Sequence, residues 1–299
     1  MRRAAAAAAL ALALPGCVAV APLPLGSRTV TQTAPAAVGV PAVYQYLYGS
    51  AEAAALSEQA YSAMTRYVLG VMAGPANRRE QAVLGPGATA DRSTPLACGT
   101  LPPAVVLDMD ETAVLNLGYE YDEASRARSY DATRWDAWER TGADKVVSVP
   151  GAARAFDRLR QRLVAIVINS NRSAANAEAT SRALANAGLG SFRHGETLFL
   201  RGDVDGKSGK DGRRAAIAAR YCVVAMAGDQ LGDFADFFNP PGQAPAAGRR
   251  AFASVPGVAD RWGNGWFLLP NPVYGTGLGS GWDETFPAGR RWADPGQPR

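Results

Sequence analysis

From residue 104 onward, short apolar runs alternate with amphipathic stretches whose apolar residues recur at helical spacing. The apolar runs predict strands at 104–110, 163–170, 197–202, 221–229 and within 261–275. The stretches between them predict helices at 130–142, 151–162, 173–188 and 209–220. Apolar strands that lack polar alternation and are separated by helices indicate a parallel sheet buried on both faces. We therefore predict an α/β fold with a doubly wound parallel sheet.

The segment before this region predicts an N-terminal helix followed by a loop. Ser50 is the expected N-cap of an amphipathic helix of about 20 residues. The apolar residues expected on its inner face are Ala54, Leu56, Ala60, Met64, Val68 and Val71. Residues 75–103 contain several Gly and Pro residues and predict a loop.

The first 17 residues predict an export signal that is not part of the fold. Two arginines precede an apolar run at 4–14, which is too short to span a bilayer. The run is followed by LPGC, which resembles a bacterial lipobox in which Cys17 becomes the lipidated first residue. Because Pro15 is unusual in a lipobox, ordinary signal cleavage near the same place is the alternative.

The rest of the chain divides into a tether and one folded domain. Residues 18–42 are rich in Pro, Ala and Thr and predict a flexible tether, and residues 43–299 are expected to form the domain. No segment after the export signal is long and apolar enough to span a membrane, so only a lipid anchor is expected to attach the protein. The predicted location is the periplasm or the outer membrane of a bacterium.

The charge balance argues against a nucleic-acid partner. The chain has 31 basic and 27 acidic residues, and two of the arginines belong to the export signal. A surface so close to neutral lacks the basic footprint that nucleic-acid binding requires. Lysine is rare, however, since Lys145, Lys207 and Lys210 are the only three, which indicates positions that need a compact ammonium.

Polar side chains follow the predicted strands at their carboxyl ends, which is where ligands bind in sheets of this kind. The first strand ends in Asp108 and Asp110. Later strands are followed by Asn169, Ser170, Asn171 and Arg172, by Lys207 and Lys210, and by Asp229 and Asp233. Facing carboxylates repel one another unless a cation lies between them, and oxygen ligands without a His or Cys cluster suit Mg2+. The same set also suits a carboxylate nucleophile that forms an aspartyl-phosphate.

Four motifs in this order resemble the signature of the haloacid dehalogenase (HAD) superfamily. They are DMDET at 108–112, INSNR at 168–172, Lys210, and GDQLGD at 228–233. Three further segments are similar to the class C acid phosphatases, bacterial lipoproteins of subfamily IIIB: GSAEAAALSEQAY, the Trp135–Trp138 pair before VPGAARAF, and PNPVYG. The resemblance spans residues 43–275. It implies a phosphatase with an HAD-like, Rossmann-type sheet, a small helical cap and an N-terminal helix.

The resemblance implies a role for each catalytic position. Asp108 would attack phosphorus, and Asp110 would protonate the leaving alkoxide and then deprotonate water. Ser170 would donate a hydrogen bond to a phosphoryl oxygen, and Lys210 would neutralise charge shared by the nucleophile and the phosphoryl group. Lys207 is the alternative to Lys210, because the family pattern contains both lysines.

Mg2+ is the cofactor that the resemblance implies. It would bind Asp108, the backbone carbonyl of Asp110, and Asp229, with Asp233 close by or bound through water. Glu111 has no role in this scheme and is expected to turn away from the site.

The insertion at about 117–150 is where the superfamily places a cap, and it is rich in aromatic residues. Trp135 and Trp138 are expected either to stack on a nucleobase or aryl leaving group or to form the core of the cap. The implied specificity is broad and includes nucleoside 5′-monophosphates. The further substrate-binding residues that the resemblance implies are Asn171, Arg172 and Tyr274.

A disulfide follows from the strand order of the superfamily, which places the strands that end at Asp108 and Asp229 side by side and parallel. Cys98 and Cys222 precede these aspartates and would lie together at the opposite end of the sheet from the site. We predict that they are bonded, which export permits. The alternative is that Cys222 is an ordinary buried strand residue.

The predicted function is an exported, Mg2+-dependent acid phosphatase that acts on small phosphomonoesters through an aspartyl-phosphate. A phosphotransferase of the same superfamily would share every catalytic residue and differ only in its acceptor. A non-catalytic surface-binding lipoprotein would keep the fold but would be expected to lose the motifs. The sequence predicts no oligomeric state.

Overall fold

The computed structural model describes residues 39–92, 95–204, 206, 208–239, 249–278 and 280–293. The predictions for the export signal, for Cys17 and for most of the tether lie outside these residues, and so does Lys207. Within the described ranges, no helix combines the length and the apolar character needed to cross a membrane.

A parallel sheet of five strands forms the centre of the described chain. The strands are β1 (Glu80–Leu84), β2 (Pro95–Ala97), β3 (Pro103–Leu107), β4 (Val114–Leu115), β5 (Val147–Ser148), β6 (Ala165–Ser173), β7 (Leu198–Arg201), β8 (Cys222–Gly228) and β9 (Trp266–Leu268). The central sheet has the order β7-β6-β3-β8-β9, while β1 pairs with β2 and β4 pairs with β5 in antiparallel fashion. The predicted α/β class with a parallel sheet is confirmed.

Helices precede, connect and follow these strands. They are α1 (Ala42–Tyr44), α2 (Ala51–Ala73), α3 (Leu117–Ser125), α4 (Ala132–Thr141), α5 (Ala152–Arg160), α6 (Ala177–Asn186), α7 (Asp211–Ala218), α8 (Arg249–Ala253), α9 (Pro256–Ala259) and α10 (Trp282–Thr285). A π-helix continues α1 through Gln45–Gly49. Short 3-10 turns add Ala76–Arg78, Ala174–Asn176, Leu231–Asp233, Asp236–Phe238 and Ala288–Arg290.

Alternate residues of β3 face two separate hydrophobic cores. Val105 and Leu107 belong to the core that α2, α5 and α6 cover, whereas Ala104 and Val106 belong to the core that α7 and α9 cover. Because both faces are buried, the strand reads as a continuous apolar run instead of an alternating one. This is why the sequence pattern identified the sheet.

The register of the central strands brings their carboxyl ends to one edge. Leu107, the last residue of β3, pairs with Ile168 of β6 on one side and with Ala227 of β8 on the other. The backbone N–H of Asp108 continues the ladder by donating to the carbonyl of Ala227 at 3.0 Å. The polar residues that follow the strands therefore start from neighbouring positions.

The N-terminal helix α2 packs against this sheet through a face that differs partly from the predicted one. Ser50 caps it as predicted, since its side chain accepts a hydrogen bond from the N–H of Ala53. Met64 and Val68 are buried, as expected. The prediction for Leu56 was wrong, because this side chain is 44% exposed while the neighbouring Ser57 is buried and donates to the Ala53 carbonyl.

The predicted loop at 75–103 contains a β-hairpin that the sequence analysis missed. Its strands β1 and β2 are short and pair irregularly, so they carry little local signal. Tertiary contacts hold the hairpin: the Trp266 indole donates to the Ala82 carbonyl at 2.9 Å, and the Gln81 amide donates to the Ala218 carbonyl at 3.1 Å. Such long-range contacts are not visible in a local sequence pattern.

The segment predicted as a cap contains α3 and α4, and the β4–β5 pair lies at its base. Asp131 caps α4 by accepting a hydrogen bond from the N–H of Arg134 at 2.8 Å. Trp138 packs so tightly against Gly142 that a Cβ at that glycine would lie 2.1 Å from the indole ring. The close approach of this helix end to the indole therefore requires glycine.

Cys98 and Cys222 form a disulfide. Cys222 is the first residue of β8, whereas Asp229 follows the last, so the bond lies at the opposite end of the strand from the acidic residues. The cross-link joins positions 124 residues apart, which restricts the unfolded chain strongly.

We expect the Cys98→Ala, Cys222→Ala double variant to lose roughly 4 kcal/mol of unfolding free energy, because the unfolded chain regains the freedom that the cross-link removes. Urea unfolding of the purified, oxidised protein measures this change. The kcat of the variant should match that of the wild type at a temperature where both are folded. Equal stability of the two proteins would contradict the structural role of the bond.

Candidate active site

Three aspartates converge at the carboxyl end of the sheet. Asp108 follows β3, Asp229 follows β8, and Asp233 ends the 3-10 turn after β8. One oxygen from each carboxylate lies within 4.8 Å of the others, and among the described residues this is the one group arranged to hold a metal ion. These are the three side chains that the sequence analysis assigned to the metal.

Lys210 enters this cluster from the start of α7. Its ammonium contacts the Asp108 carboxylate and donates to Asp233 Oδ1 at 2.7 Å. The carboxylate of Asp236 fixes the start of the helix, because it accepts hydrogen bonds from the backbone N–H of Lys210 at 2.8 Å and of Asp211 at 3.0 Å. The structure therefore places Lys210 between two of the three acids.

The acidic cluster carries more negative charge than Lys210 balances. Burial raises the pKa of Asp108 well above its usual value, Lys210 opposes this rise, and the charges of Asp233 and Asp229 add to it. Burial, followed by repulsion from Asp233, raises the pKa of Asp229 to about 7. Three carboxylates with only the Lys210 ammonium to balance them suit a hard divalent cation.

Asp229 is held in place by three donors that the sequence analysis did not assign. The Thr112 hydroxyl donates to Oδ1 at 3.0 Å, and the side-chain amides of Asn271 and Gln230 donate to Oδ2 at 2.8 and 2.9 Å. Thr112 belongs to the DMDET motif and Asn271 to PNPVYG, so these motifs were the available signal. The PNPVYG motif thus orients Asp229, the carboxylate of the GDQLGD motif.

Asp110 is anchored mainly through one of its two carboxylate oxygens. Oδ1 accepts hydrogen bonds from Arg172 Nη2 at 2.7 Å, from Arg172 Nε at 2.9 Å and from Asn116 Nδ2 at 3.0 Å. Oδ2 receives only longer contacts, from Arg172 Nε at 3.3 Å and from the Ser170 hydroxyl at 3.4 Å. The carboxyl group is therefore oriented through Oδ1, while Oδ2 is the less tightly held oxygen.

Glu111 is buried directly after Asp110, although the sequence analysis gave it no role. It does not line the cavity described below, but its carboxylate accepts hydrogen bonds from Asn116, from Tyr48 at 3.2 Å and from the Tyr274 hydroxyl. Burial, followed by the charge of Asp110, raises the pKa of Glu111 to about 7. Its φ of 53° lies in the left-handed region, which non-glycine residues rarely adopt. Glu111 therefore joins the first motif to the C-terminal PNPVYG segment.

A cavity of about 630 Å³ opens beside the acidic cluster. It is bounded by the carboxyl ends of the strands, by α3 and α4, and by the segment around Tyr274. The predicted site residues that line it are Asp108, Asp110, Trp135, Asn171, Lys210, Asp229, Asp233 and Tyr274. Its volume exceeds that of a phosphate group, so it has room for a leaving group as well.

Three predicted site residues do not line this cavity. Ser170 is fully buried, and its hydroxyl donates to Asp110 and accepts from the N–H of Arg172 at 3.1 Å. Arg172 was expected beside the substrate, and Trp138 either there or in the core of the cap. The two meet at Asn116 behind the cavity wall, where both donate to its Oδ1, at 2.8 and 3.0 Å. The side chains of Arg172 and Trp138 donate these hydrogen bonds within the protein, which leaves them a positioning role.

Comparison with known proteins places these features in a family. A profile of the HAD superfamily, subfamily IIIB (acid phosphatase), matches residues 43–277. The fold is similar to that of the class C acid phosphatase from Bacillus anthracis, with a TM-score of 0.61 and 22% identity over 79% of this chain and 84% of that chain. The tungstate-bound structure of that enzyme gives the same values. No curated protein sequence matches the chain significantly.

The family match includes all four motifs, the cap and the N-terminal helix. It also includes PNPVYG, whose asparagine orients Asp229. The cluster of three acids and a lysine beside a cavity is consistent with phosphoryl transfer, in which charge neutralisation and positioning dominate. The chain therefore belongs to the acid phosphatases of HAD subfamily IIIB and is a phosphoric monoester hydrolase.

Proposed function

We propose that this acid phosphatase is exported, depends on Mg2+, and hydrolyses phosphomonoesters through an aspartyl-phosphate on Asp108. One observation carries the proposal: Asp108, Asp229 and Asp233 converge within 4.8 Å, with Lys210 in contact, beside a cavity large enough for a small ester. An anionic phosphoryl group can react with a carboxylate only where positive charge compensates both.

Two half-reactions follow from these residues. In the first, a carboxylate oxygen of Asp108 attacks phosphorus, the bond from phosphorus to the ester oxygen breaks, and Asp110 gives its proton to the departing alkoxide. In the second, Asp110 takes a proton from water, the water oxygen attacks phosphorus, and the bond from phosphorus to the Asp108 carboxylate oxygen breaks. Phosphate and free Asp108 are then released, while Lys210 balances the charge on Asp108 throughout.

Acid phosphatases of this superfamily use a divalent metal, and we propose Mg2+ for this protein. Asp108, Asp229 and Asp233 would hold it together with the backbone carbonyl of Asp110. When bound, the ion neutralises charge on the phosphoryl oxygens and on the nucleophile. Thr112 and Asn271 orient Asp229 for this task through their hydrogen bonds.

Without metal, the protein should lose stability as the pH rises from about 4 through about 7. Asp229 has a folded-state pKa of about 7, above its unfolded value of 3.8, so the native state holds a proton that the unfolded state has released. Asp108 and Glu111 shift in the same direction. Each carboxyl with a raised pKa lowers the free energy of unfolding by up to about 1.4 kcal/mol per pH unit within this window.

Urea unfolding between pH 4 and 8, in EDTA and in Mg2+, tests this prediction. Mg2+ should reduce the loss, because it favours the ionised carboxylates. The Asp229→Asn variant in EDTA should show a shallower pH dependence than the wild type. An identical slope in the variant and the wild type would contradict the shift assigned to Asp229.

The proposed substrates include nucleoside 5′-monophosphates and aryl phosphates. Trp135 and Tyr274 both line the cavity, so aromatic surface is available to a flat leaving group.

Export and lipid attachment at Cys17 are also part of the proposal, supported by the arginines, the apolar run and the LPGC sequence of the leader. Mass spectrometry of the protein from the membrane fraction should find lipid on Cys17.

Release of phosphate from p-nitrophenyl phosphate and from nucleoside monophosphates, with and without EDTA, tests the proposed function. We expect turnover that EDTA abolishes and Mg2+ restores. Addition of an alcohol acceptor separates hydrolysis from phosphotransfer, because a phosphotransferase would form the new ester in preference to phosphate. Absence of turnover with every ester would contradict the proposal and favour a binding protein.

A further inference from the structure

The cap side of the cavity contains a carboxylate that phosphate chemistry does not use. Glu120, on α3, is 4% exposed, and its side chain lines the cavity. Among the described residues, no side chain or backbone donor forms a hydrogen bond to this carboxylate. An ionised carboxylate buried without a partner is costly, so the ionised form of Glu120 needs a ligand that compensates its charge.

Arg134, the cap cation whose charge acts to lower the pKa of Glu120, forms its hydrogen bonds with other groups. Arg134 donates to Glu123 at 2.8 Å, to the Tyr119 hydroxyl at 3.2 Å and to the Ser129 carbonyl at 2.8 Å. Arg134 thereby balances the charge of Glu123 and forms no hydrogen bond to Glu120. Burial raises the pKa of Glu120 to about 9, with Glu111, Glu123 and Asp110 adding to the rise and Arg134 opposing it. The surroundings of Glu120 therefore favour the protonated acid, and a bound cation would favour the ionised form.

Aromatic side chains surround the same part of the cavity. Tyr119, Tyr130 and Trp135 all line it, with the Tyr119 and Trp135 ring centroids 4.9 Å apart and those of Tyr130 and Trp135 6.5 Å apart. Trp135 already holds one cation, since the Arg172 Cζ lies 5.7 Å from its ring centroid. Aromatic rings beside a carboxylate attract organic cations, and weakly hydrated quaternary ammonium groups most of all.

A metal ion fits this position poorly. Glu120 and Glu123 do not form part of any group of three close ligands among the described residues. Two basic residues line the cavity, Lys210 and Arg201. Lys210 contacts Asp108. The Asn176 hydrogen bond, and to a smaller extent the charges of Arg140 and Arg201, lower the pKa of Asp136 on α4. Negative potential without convergent ligands suits a bulky organic cation better than a small inorganic one.

We propose that Glu120, with Tyr119, Tyr130 and Trp135, forms a subsite for a cationic leaving group, so that the enzyme prefers phosphate esters of alkylammonium alcohols. The inference rests on the proposed function, because it assumes that the alcohol part of the ester occupies the cap side of the cavity. Glu120 forms an ion pair with the ammonium group, and the rings contact its methyl groups. The reacting phosphoryl group remains with Asp108 and Lys210.

A matched pair of substrates tests the subsite. Phosphocholine and 3,3-dimethylbutyl phosphate have the same shape, but the first carries a quaternary nitrogen where the second carries carbon. We expect the wild-type kcat/KM to favour phosphocholine by about tenfold or more, and the Glu120→Gln variant to lose that preference. The control is Glu178→Gln on α6, whose side chain is 91% exposed and which should keep the wild-type ratio.

Equal kcat/KM for the two esters in the wild type would overturn the subsite, as would a preference that survives in the Glu120→Gln variant. Turnover of p-nitrophenyl phosphate reports separately on the proposed function. If that turnover is absent, calorimetric binding of choline against 3,3-dimethylbutan-1-ol still decides. Tighter binding of choline that depends on Glu120 supports the subsite, and equal or undetectable binding of the two alcohols refutes it.

Discussion

Replacement of Asp108 by Asn should lower kcat by roughly 10^4-fold or more, because an amide oxygen cannot form the covalent intermediate with phosphorus. Asp108 follows β3 at the cavity edge, and Lys210 contacts its carboxylate. No other described carboxylate combines these contacts with the position at the end of the central strand. The measurement is steady-state hydrolysis of p-nitrophenyl phosphate in saturating Mg2+.

The stability of the Asp108→Asn variant shows whether a loss of activity reflects chemistry or misfolding. Repulsion from Asp233 and Asp229 helps to raise the pKa of Asp108, and Asn removes that repulsion. In EDTA at pH 8, the variant should therefore unfold at a urea concentration equal to or above that of the wild type. A folded variant with near wild-type, Mg2+-dependent activity would contradict the assignment of Asp108.

Replacement of Lys210 by Ala should lower kcat by roughly 10^3-fold, because the nucleophile and the transferred phosphoryl group lose the cation between them. The ammonium contacts Asp108 and lies 2.7 Å from Asp233, and its removal leaves three carboxylates facing one another. Lys207→Ala is the matched control, since it removes the same charge three residues earlier. The control should stay within about twofold of the wild-type kcat.

The relative loss in the two lysine variants decides between the alternatives that the sequence left open. A larger loss in Lys207→Ala than in Lys210→Ala would contradict the role assigned to Lys210. Thermal unfolding in Mg2+ should show that both variants are folded at the assay temperature. The lysine comparison is then a comparison of chemistry alone.

The acidic cluster was predictable because it depends on two local patterns. Apolar runs without alternation identified buried parallel strands, and Asp108 and Asp229 follow two of these runs directly. Parallel strands end at one edge of a sheet, so these side chains had to start close together. Asp233 and Lys210 needed the motif resemblance as well, because a 3-10 turn and a helix start carry them.

The positioning contacts were not predictable from local patterns. Asn116 receives hydrogen bonds from Arg172, 56 residues away, and from Trp138, 22 residues away, and it donates to Asp110. Nothing in the residues around Asn116 indicates such a junction. One partner of Glu111 lies farther still, since Tyr274 follows it by 163 residues.

These contacts change how the aromatic and basic residues of the motifs are interpreted. The sequence analysis placed Arg172 among the substrate ligands and left Trp138 open between a stacking surface and the core of the cap. Arg172 bonds to Asn116 and Asp110, and Trp138 bonds to Asn116. Trp135, one helical turn from Trp138, does line the cavity. Residues three apart on one helix can therefore divide between the cap core and the binding surface, and their contacts distinguish the two roles.

The covalent intermediate is the central claim, and the Asp110→Asn variant tests it most directly. Loss of Asp110 removes the base for the second step, whereas p-nitrophenolate is a good leaving group that needs little protonation in the first. Rapid mixing with p-nitrophenyl phosphate should give a burst of about one p-nitrophenolate per protein, as expected for a stalled covalent intermediate. A phosphoryl group should then appear on the peptide that contains Asp108. Absence of a burst together with an unphosphorylated peptide, or a phosphoryl group on another residue, would contradict the account.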